Sequence, residues 1–345
     1  MGRLIGVALT GVVLTAAAAA GLSAASGEEQ SLLERCWNLQ ALAGTASELK
    51  PSRNRAKLDL TALKNEPIPA TPPVAPPLRG SIKSVTLPPG EKLIAFTFDL
   101  CETDGSAAGY DGRIVDLLRA EGVKATFFAG GKWMETHPER AAQLIADPDF
   151  EIGSHGFRHR DMARLGGEAL GDEIKLTDAA YARARAALLA RQCAASSANG
   201  RNPPTHMSLI RFPYGRCDAA SLAAVADQGE LAIQWDIVTG DPDPHRSAKA
   251  IAKTILDKAH PGAIVIGHAN GRGKHTAEAL ALAIPKLKEE GYSFVTVSEL
   301  LAAGTPVIAA SCAPARPTAK SRLSRVSHAQ RHDLLGLPAL SGAAH

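Results

Sequence analysis

Short apolar runs alternate with longer amphipathic segments through the middle of the chain. The runs are KLIAFTFD, KATFFAG, FEIGS, MSLIRFP, LAIQWDI, AIVIGH and SFVTV. Their length and their β-branched and aromatic content predict buried strands. Between them lie DGRIVDLLRAEG, ERAAQLIAD, EALGDEIKLTDAAYARARAALLARQC, DAASLAAVADQG, SAKAIAKTILDKA and TAEALALAIPKLKEEG, which carry apolar residues at helical spacing. Several of these segments end in glycine, the residue that best tolerates a left-handed helix terminus. Seven strands alternating with helices predict parallel pairing, hence an α/β barrel or an open doubly wound sheet. No G-x-G-x-x-G follows the first strand, which disfavours a dinucleotide-binding fold.

The flanks break this rhythm. Residues 26–65 read as a short helical segment without evident chemistry. The proline-rich EPIPATPPVAPPLRG lies within 66–89, which is expected to run extended as a linker. The alternating domain then spans 90–303, and 304–345 reads as a disordered, mildly basic tail rich in Ala, Ser, Pro and Arg. At the other end, MGRLIGVALTGVVLTAAAAAGLSAASGEE has one arginine, an apolar run of small residues and a candidate cleavage site at Ser23-Ala24-Ala25. This predicts a secretory signal peptide over 1–25, with an uncleaved N-terminal anchor as the alternative. Either way the domain is expected outside the cytoplasm, secreted or periplasmic, with no stable membrane insertion once the signal is cleaved.

Composition narrows the function class. Of 345 residues 45% are hydrophobic, enough for a sizeable core, and the net charge of +3 comes from scattered Lys and Arg. No basic run interleaved with aromatics appears, so no nucleic-acid partner is expected. Five cysteines are present: Cys36, Cys101, Cys193, Cys217 and Cys312. An oxidising compartment permits pairs, and the odd number leaves at least one thiol unpaired.

Chemistry-bearing residues fall at the ends of the predicted strands. Asp99 ends the first, His155 and His159 follow the third, and Arg211 closes the fourth. Trp235 and Asp236 lie in the fifth with Asp241 just beyond, and His268 ends the sixth. In parallel α/β folds the carboxyl ends of the strands converge on one face. His155 and His159, spaced i, i+4, can share one metal ion, while Gly156 excludes an H-E-x-x-H zincin. His268 is either a candidate general acid or a satisfied core histidine, and Arg211 either a structural salt bridge or a buried cation that would hold a neighbouring carboxylate ionised. Trp133 is either a stacking platform for a sugar ring or a core residue.

These segments resemble the polysaccharide deacetylases, carbohydrate esterase family 4, which share the NodB homology domain. TFDL at 97–100 is similar to the family's T-F-D-D, SHGFRH at 154–159 to its H-x-x-x-H, and RFPYG at 211–215 to R-x-P-Y-G. WDIVTGD at 235–241 is similar to the segment carrying a Trp and a later Asp, and IGH at 266–268 to L-x-H. The resemblance implies a distorted barrel of seven β/α units. It also implies a hydrolase that removes acetyl groups from N-acetylated or O-acetylated polysaccharide. It casts Asp99 as general base, Arg211 as its positioning partner, and the Tyr214 backbone N–H as an oxyanion donor. Asp241 would tune His268, the general acid, and His155 and His159 would bind a divalent metal such as zinc.

One position departs from that pattern. Leu100 stands where the family has a metal-ligating Asp. Three outcomes follow: a loop acid, Glu102 or Asp104, supplies the oxygen; two histidines and water hold the metal; or no metal binds. Glu102 is favoured, because its longer side chain can reach back from the loop. A metal-independent amide hydrolase of the same fold, or a non-catalytic carbohydrate-binding protein, are the alternative functions.

Overall fold

The computed structural model describes residues 30–50, 58–105, 108–195 and 202–312, together with Gly2. The expected signal peptide and all of the expected tail beyond Cys312 lie outside the described residues, Gly2 apart. The strands are β1 Ser81–Thr86, β2 Leu93–Leu100, β3 Ala125–Ala129, β4 Phe150–Ser154, β5 Leu209–Ile210, β6 Leu231–Ile233, β7 Ile237–Val238, β8 Ile264–His268, β9 Ser293–Phe294 and β10 Thr305–Ala309. They form one sheet in the order β10-β1-β6-β5-β4-β3-β2-β8-β7, with β9 added to β2. Pairing is parallel except for β1 with β10.

The sheet curls on itself. Val85 N–H donates to Gly262 O at 2.9 Å, and Ser84 forms an antiparallel bridge to Ala263 at the entrance to β8. The ring therefore runs through β1, β6, β5, β4, β3, β2 and β8, the seven strands of a distorted (β/α) barrel. The expected number is right but its membership is not. SFVTV yields only β9, outside the ring, and LAIQWDI breaks into β6 and β7. The seventh ring strand, β1, comes from within the stretch expected to be linker.

That stretch is packed for a physical reason. Proline bars regular helix and a central ladder but not a short turn followed by a strand. Pro76–Leu78 make one 3₁₀ turn, Val74 and Leu78 are buried, and the Val74 N–H donates to Ala226 O at 2.8 Å. Past the last proline of this run, SIKSVT pairs with β6 on one side and β10 on the other. The domain thus starts before residue 90, and its last strand and Cys312 lie beyond 303.

The predicted helices form where their apolar faces require. Gly112–Ala120, Pro138–Ala146, Gly167–Leu189, Ala219–Asp227, Ala248–Lys258 and Thr276–Glu289 each present buried residues to the structure. Asp218 and Ser221 form a reciprocal cap at the start of Ala219–Asp227, and Ser247 caps Ala248–Lys258. Gly122, Gly229 and Gly291, just past three of these helices, hold positive φ of 59°, 82° and 84°.

Alternation along the strands divides the core. Ile82, Ala95, Phe128, Leu209, Ile233 and Ile264, one from each of six ring strands, pack together inside the barrel. Ile94, Phe96, Phe98 and Leu100 of β2 point the other way and pack beneath the helices with Ile114, Leu118 and Leu280. The N-terminal segment joins this outer layer. Leu32, Leu33, Trp37, Leu42 and Leu63 are buried in it, Arg140 donates to the carbonyls of Ala41, Leu42 and Ala43, and Cys36 is bonded to Cys193.

A second disulfide, Cys217–Cys312, spans 95 residues and ties the chain after β10 to the loop after β5. Replacing both cysteines, Cys217→Ser with Cys312→Ser, is expected to lower unfolding free energy in urea by about 2–5 kcal/mol. An unchanged urea midpoint would show that the bond does not hold the edge strand.

Candidate active site

The strand ends deliver their polar residues to one rim. Asp99 is the penultimate residue of β2 and His268 the last of β8, and the two are direct partners in the β2/β8 register. Odd-numbered residues of β2 face the barrel interior, so Asp99 follows Ala95 and Thr97 inward, where a carboxylate would be costly without partners. Arg211 supplies one. Its Nη1 donates to Asp99 Oδ1 at 3.0 Å, its Nη2 donates to Gln234 O at 3.3 Å, and it is fully buried. The guanidinium lies 4.1 Å from the centre of the Phe128 ring and 5.3 Å from that of Trp235. Burial works to raise the Asp99 carboxyl, but His155, Arg211 and His268 outweigh it and hold it below its ordinary value.

His155 follows β4 directly, and its Nδ1 lies 2.7 Å from Arg211 O. A carbonyl only accepts, so Nδ1 carries the proton and Nε2 presents its lone pair. Nε2 makes no hydrogen bond and sits 3.4 Å from Asp99 Oδ2. Two lone pairs this close call for a cation or proton between or beside them. His159 reaches the same place through a backbone at φ 54°, and its ring centre is 5.0 Å from that of His155. The His159 Nδ1 is likewise buried and without a hydrogen bond. Burial pulls both imidazoles down, His159 to about 3 with His155 adding to the effect, so both stay neutral as metal ligation requires. The loop bearing them is pinned by Glu173, whose carboxylate accepts the Arg158 N–H at 2.9 Å. Tyr214, at φ 60°, sets its ring edge-on to His159 with centres 4.4 Å apart.

Opposite stands a second pair. Asp241 Oδ1 accepts from His268 Nδ1 at 2.9 Å, and its Oδ2 accepts the His268 N–H at 2.7 Å. Thr239 and Thr276 hydroxyls complete the carboxylate at 3.0 and 2.7 Å. Burial pulls His268 down, but its hydrogen bond and ion pairing with Asp241 prevail and hold it above its ordinary value. Asp236 lies apart from this rim, bonded to His260 at 2.7 Å. Trp133 is a core residue: it is fully buried, donates to Gly109 O at 3.2 Å and stacks on His137.

The acids expected to replace the missing ligand are engaged elsewhere. Glu102 Oε2 accepts from Thr136 Oγ1 at 2.6 Å, and its Oε1 faces Lys132 Nζ at 3.3 Å. Asp104 pairs with Arg158 near the surface at 3.4 Å. The residue that does come to the histidines is Cys101. Its Sγ and a ring nitrogen on each of His155 and His159 lie within 4.8 Å of one another. Among the described residues Cys101 is the one free cysteine, and it is buried. Asn270 Nδ2 donates to its carbonyl at 2.9 Å and to its Sγ at 3.2 Å. Burial, with Asp99 adding to it, pushes this thiol up to about 12 in the absence of a metal. The donor set, two unprotonated imidazole nitrogens and a sulfur, fits a divalent metal.

A family profile described as Polysaccharide deacetylase matches residues 86–232. Over that stretch the chain resembles the polysaccharide deacetylases. It is 30% identical to the peptidoglycan-N-acetylglucosamine deacetylase PgdA of Listeria monocytogenes over 225 residues, which are 65% of this chain and 42% of that protein. It is 29% identical over 217 residues to a peptidoglycan-N-acetylglucosamine deacetylase of Bacillus cereus, covering 91% of the latter. The solved structure of the Bc1960 peptidoglycan N-acetylglucosamine deacetylase superposes with a TM-score of 0.52 at 25% identity, over 64% of this chain and 92% of that one. BA3943 of Bacillus anthracis, described as a CE4 family pseudoenzyme, also superposes with a TM-score of 0.52 at 25% identity, over 65% of this chain and 69% of that one. The chain thus has both kinds of neighbour, deacetylases and a pseudoenzyme.

Sequence reasoning missed Cys101, Asn270 and Glu173. For Cys101 two signals were present: an odd cysteine, and a place two residues after Asp99, hence on the same face of an extended chain. Leu100 has the opposite parity and no solvent exposure. Restoring the family residue with Leu100→Asp is therefore expected to bury a carboxylate under the helices. It should destabilise the fold by about 3–5 kcal/mol and add no metal, as checked by urea unfolding and elemental analysis.

Proposed function

We infer that this domain is a hydrolase that removes acetyl groups from an N-acetylated glycan outside the cytoplasm. The observation that carries the reading is the pairing of opposite environments across one rim: Asp99 held low beside Arg211, His268 held high beside Asp241. Separating the pKa values of two groups in this way is how a site keeps a base and an acid ready at one pH. Binding a sugar needs neither. The peptidoglycan deacetylases among the relatives point to N-acetylglucosamine units of cell-wall glycan as the substrate class. The two disulfides suit an oxidising compartment, and no helix among the described residues is long and apolar enough to cross a membrane.

In this reading His155 and His159 would hold a divalent metal such as zinc, which when bound would supply Lewis-acid polarisation of the acetyl carbonyl and lower the pKa of a water. Asp99 takes the proton of the attacking water, and Arg211 keeps the carboxylate ionised and oriented. The Tyr214 backbone N–H is offered to the oxygen on which negative charge develops. His268 then gives its Nε2 proton to the departing nitrogen, while Asp241 stabilises the imidazolium. An acetamide is a poor electrophile with a poor leaving group, so all of these contributions are needed.

Acetate release from N-acetylglucosamine oligomers and from peptidoglycan, with and without chelator, tests the reading. Release that the chelator abolishes is expected; no release from any acetylated glycan would place this chain with the pseudoenzyme. Asp99→Asn should lower kcat/KM by about 10²–10⁴-fold while leaving the fold intact by circular dichroism.

The His268 environment sets a sign for the pH profile. His268 must be protonated to act, so activity falls as pH rises through its pKa. Asp241 raises that pKa. Asp241→Asn should therefore move the alkaline limb of the kcat/KM profile to lower pH by about one unit or more. A limb that stays in place would show that His268 is not the proton donor.

A further inference from the structure

We propose that Cys101 is the third protein ligand of the metal centre, giving a Cys-His-His site in place of one with a carboxylate. The proposal rests on the metal-dependent deacetylase reading of this pocket and adds to it the identity and character of the site. Strand parity is the first support. β2 turns Leu100 outward into the helix-covered layer, and the next residue returns to the side of Asp99. The second is independent of the cysteine. His155 Nε2 and His159 Nδ1 are buried, without hydrogen bonds, on residues 1% and 8% exposed. Buried imidazole nitrogens left so are expensive unless something binds them. The third is the surrounding shell. Ligating histidines usually donate their other ring N–H to a carbonyl or carboxylate, as His155 does to Arg211 O. The Asn270 amide does the corresponding work for sulfur, donating to both the Sγ and the carbonyl of Cys101.

Among the described residues the two loop acids considered for the role are already engaged. Glu102 is bonded to Thr136 and faces Lys132, and Asp104 is paired with Arg158. The remaining four cysteines are consumed in Cys36–Cys193 and Cys217–Cys312, so the thiol at 101 is not drawn into a disulfide within the described structure. As the metal binds, the thiol proton passes to solvent and the thiolate supplies the same single negative charge as a carboxylate. What changes is softness. Thiolate with imidazole selects zinc, and its spectroscopic stand-in cobalt, over the magnesium and manganese that oxygen ligands suit. Three protein ligands leave the fourth position open for water and substrate, as in catalytic zinc sites.

The test is metal binding by the full chain, read without reference to activity. Purified protein should take up one equivalent of Zn²⁺. Loading with Co²⁺ should give a sulfur-to-cobalt charge-transfer band in the near ultraviolet. Cys101→Ser, nearly isosteric, should lose that band and weaken zinc affinity by at least 10–100-fold, with its far-ultraviolet circular dichroism unchanged. Cys101→Asp, which keeps the charge, should still bind metal, lack the band, and move in preference from Zn²⁺ towards Mn²⁺. Failure of the wild type to bind either ion, absence of the band, or unchanged zinc affinity in Cys101→Ser would overturn the assignment. Should Cys101→Ser fail to fold, the band in wild type and its absence in Cys101→Asp decide the matter alone. Chelator-sensitive acetate release without a sulfur band would sink this inference and leave the deacetylase reading standing. The band without acetate release would do the reverse.

Discussion

The buried pair of Asp99 and Arg211 fixes more of this structure than any other contact. Arg211 has no solvent exposure, and its guanidinium is held over Phe128 while it donates to Asp99. Its backbone works as hard as its side chain. The Arg211 N–H donates to Ser154 O at 2.8 Å, joining the ends of β4 and β5, and its carbonyl accepts a hydrogen bond from the His155 Nδ1–H. One residue thereby orients the candidate base, selects the tautomer of a candidate ligand and aligns two strands. A buried pair of this kind is little net gain over apolar packing, but removing one partner strands a charge at about 3–5 kcal/mol. Its value is geometric: the guanidinium, held over Phe128, orients the Asp99 carboxylate at the barrel mouth.

Strand alternation is the other constraint, and it decides what each residue at a strand end can do. Six inward residues fill the barrel, so an inward side chain at the last turn of a strand emerges into the mouth. Outward residues lie under helices and see no substrate. Asp99 and Leu100 are neighbours in sequence with opposite fates for this reason alone.

Much of this was legible in the chain. The alternating apolar and amphipathic segments marked nearly every strand and each long helix, and five strand ends converged as parallel topology demands. Asp99 with Arg211, His155 with His159 and Asp241 with His268 are brought together in those pairs. Two things were hidden. β1 lay behind a run of prolines, whose composition says linker although Val74 and Leu78 before the strand are buried and the strand itself is paired. Strand pairing of SIKSVT depends on β6 and β10, which are far away in sequence. The loop after Asp99 misled for another reason. A missing carboxylate suggests looking for another carboxylate, and side-chain length favours Glu102. Length is irrelevant once Thr136 and Lys132, on a helix that sequence alone does not place, hold that side chain.

The layout also explains how position 100 could change without dismantling the rest. The two acid–base pairs draw on separate supports: Arg211 for Asp99, and Asp241 with Thr239 and Thr276 for His268. None of these groups relies on a side chain at 100 for a hydrogen bond. A side chain at 100 points into the helix-covered layer, so Leu100 leaves both pairs in order and leaves His155 and His159 short of a partner. The replacement then has to come from a residue of inward parity, already near the histidines and not bonded into the loop. By that reasoning the constraint is met by position 101 and by neither 102 nor 104, and it is met by a side chain of different chemistry. A barrel mouth built from independent pairs can therefore exchange the hardness of its metal site while its proton-transfer groups stay where they are.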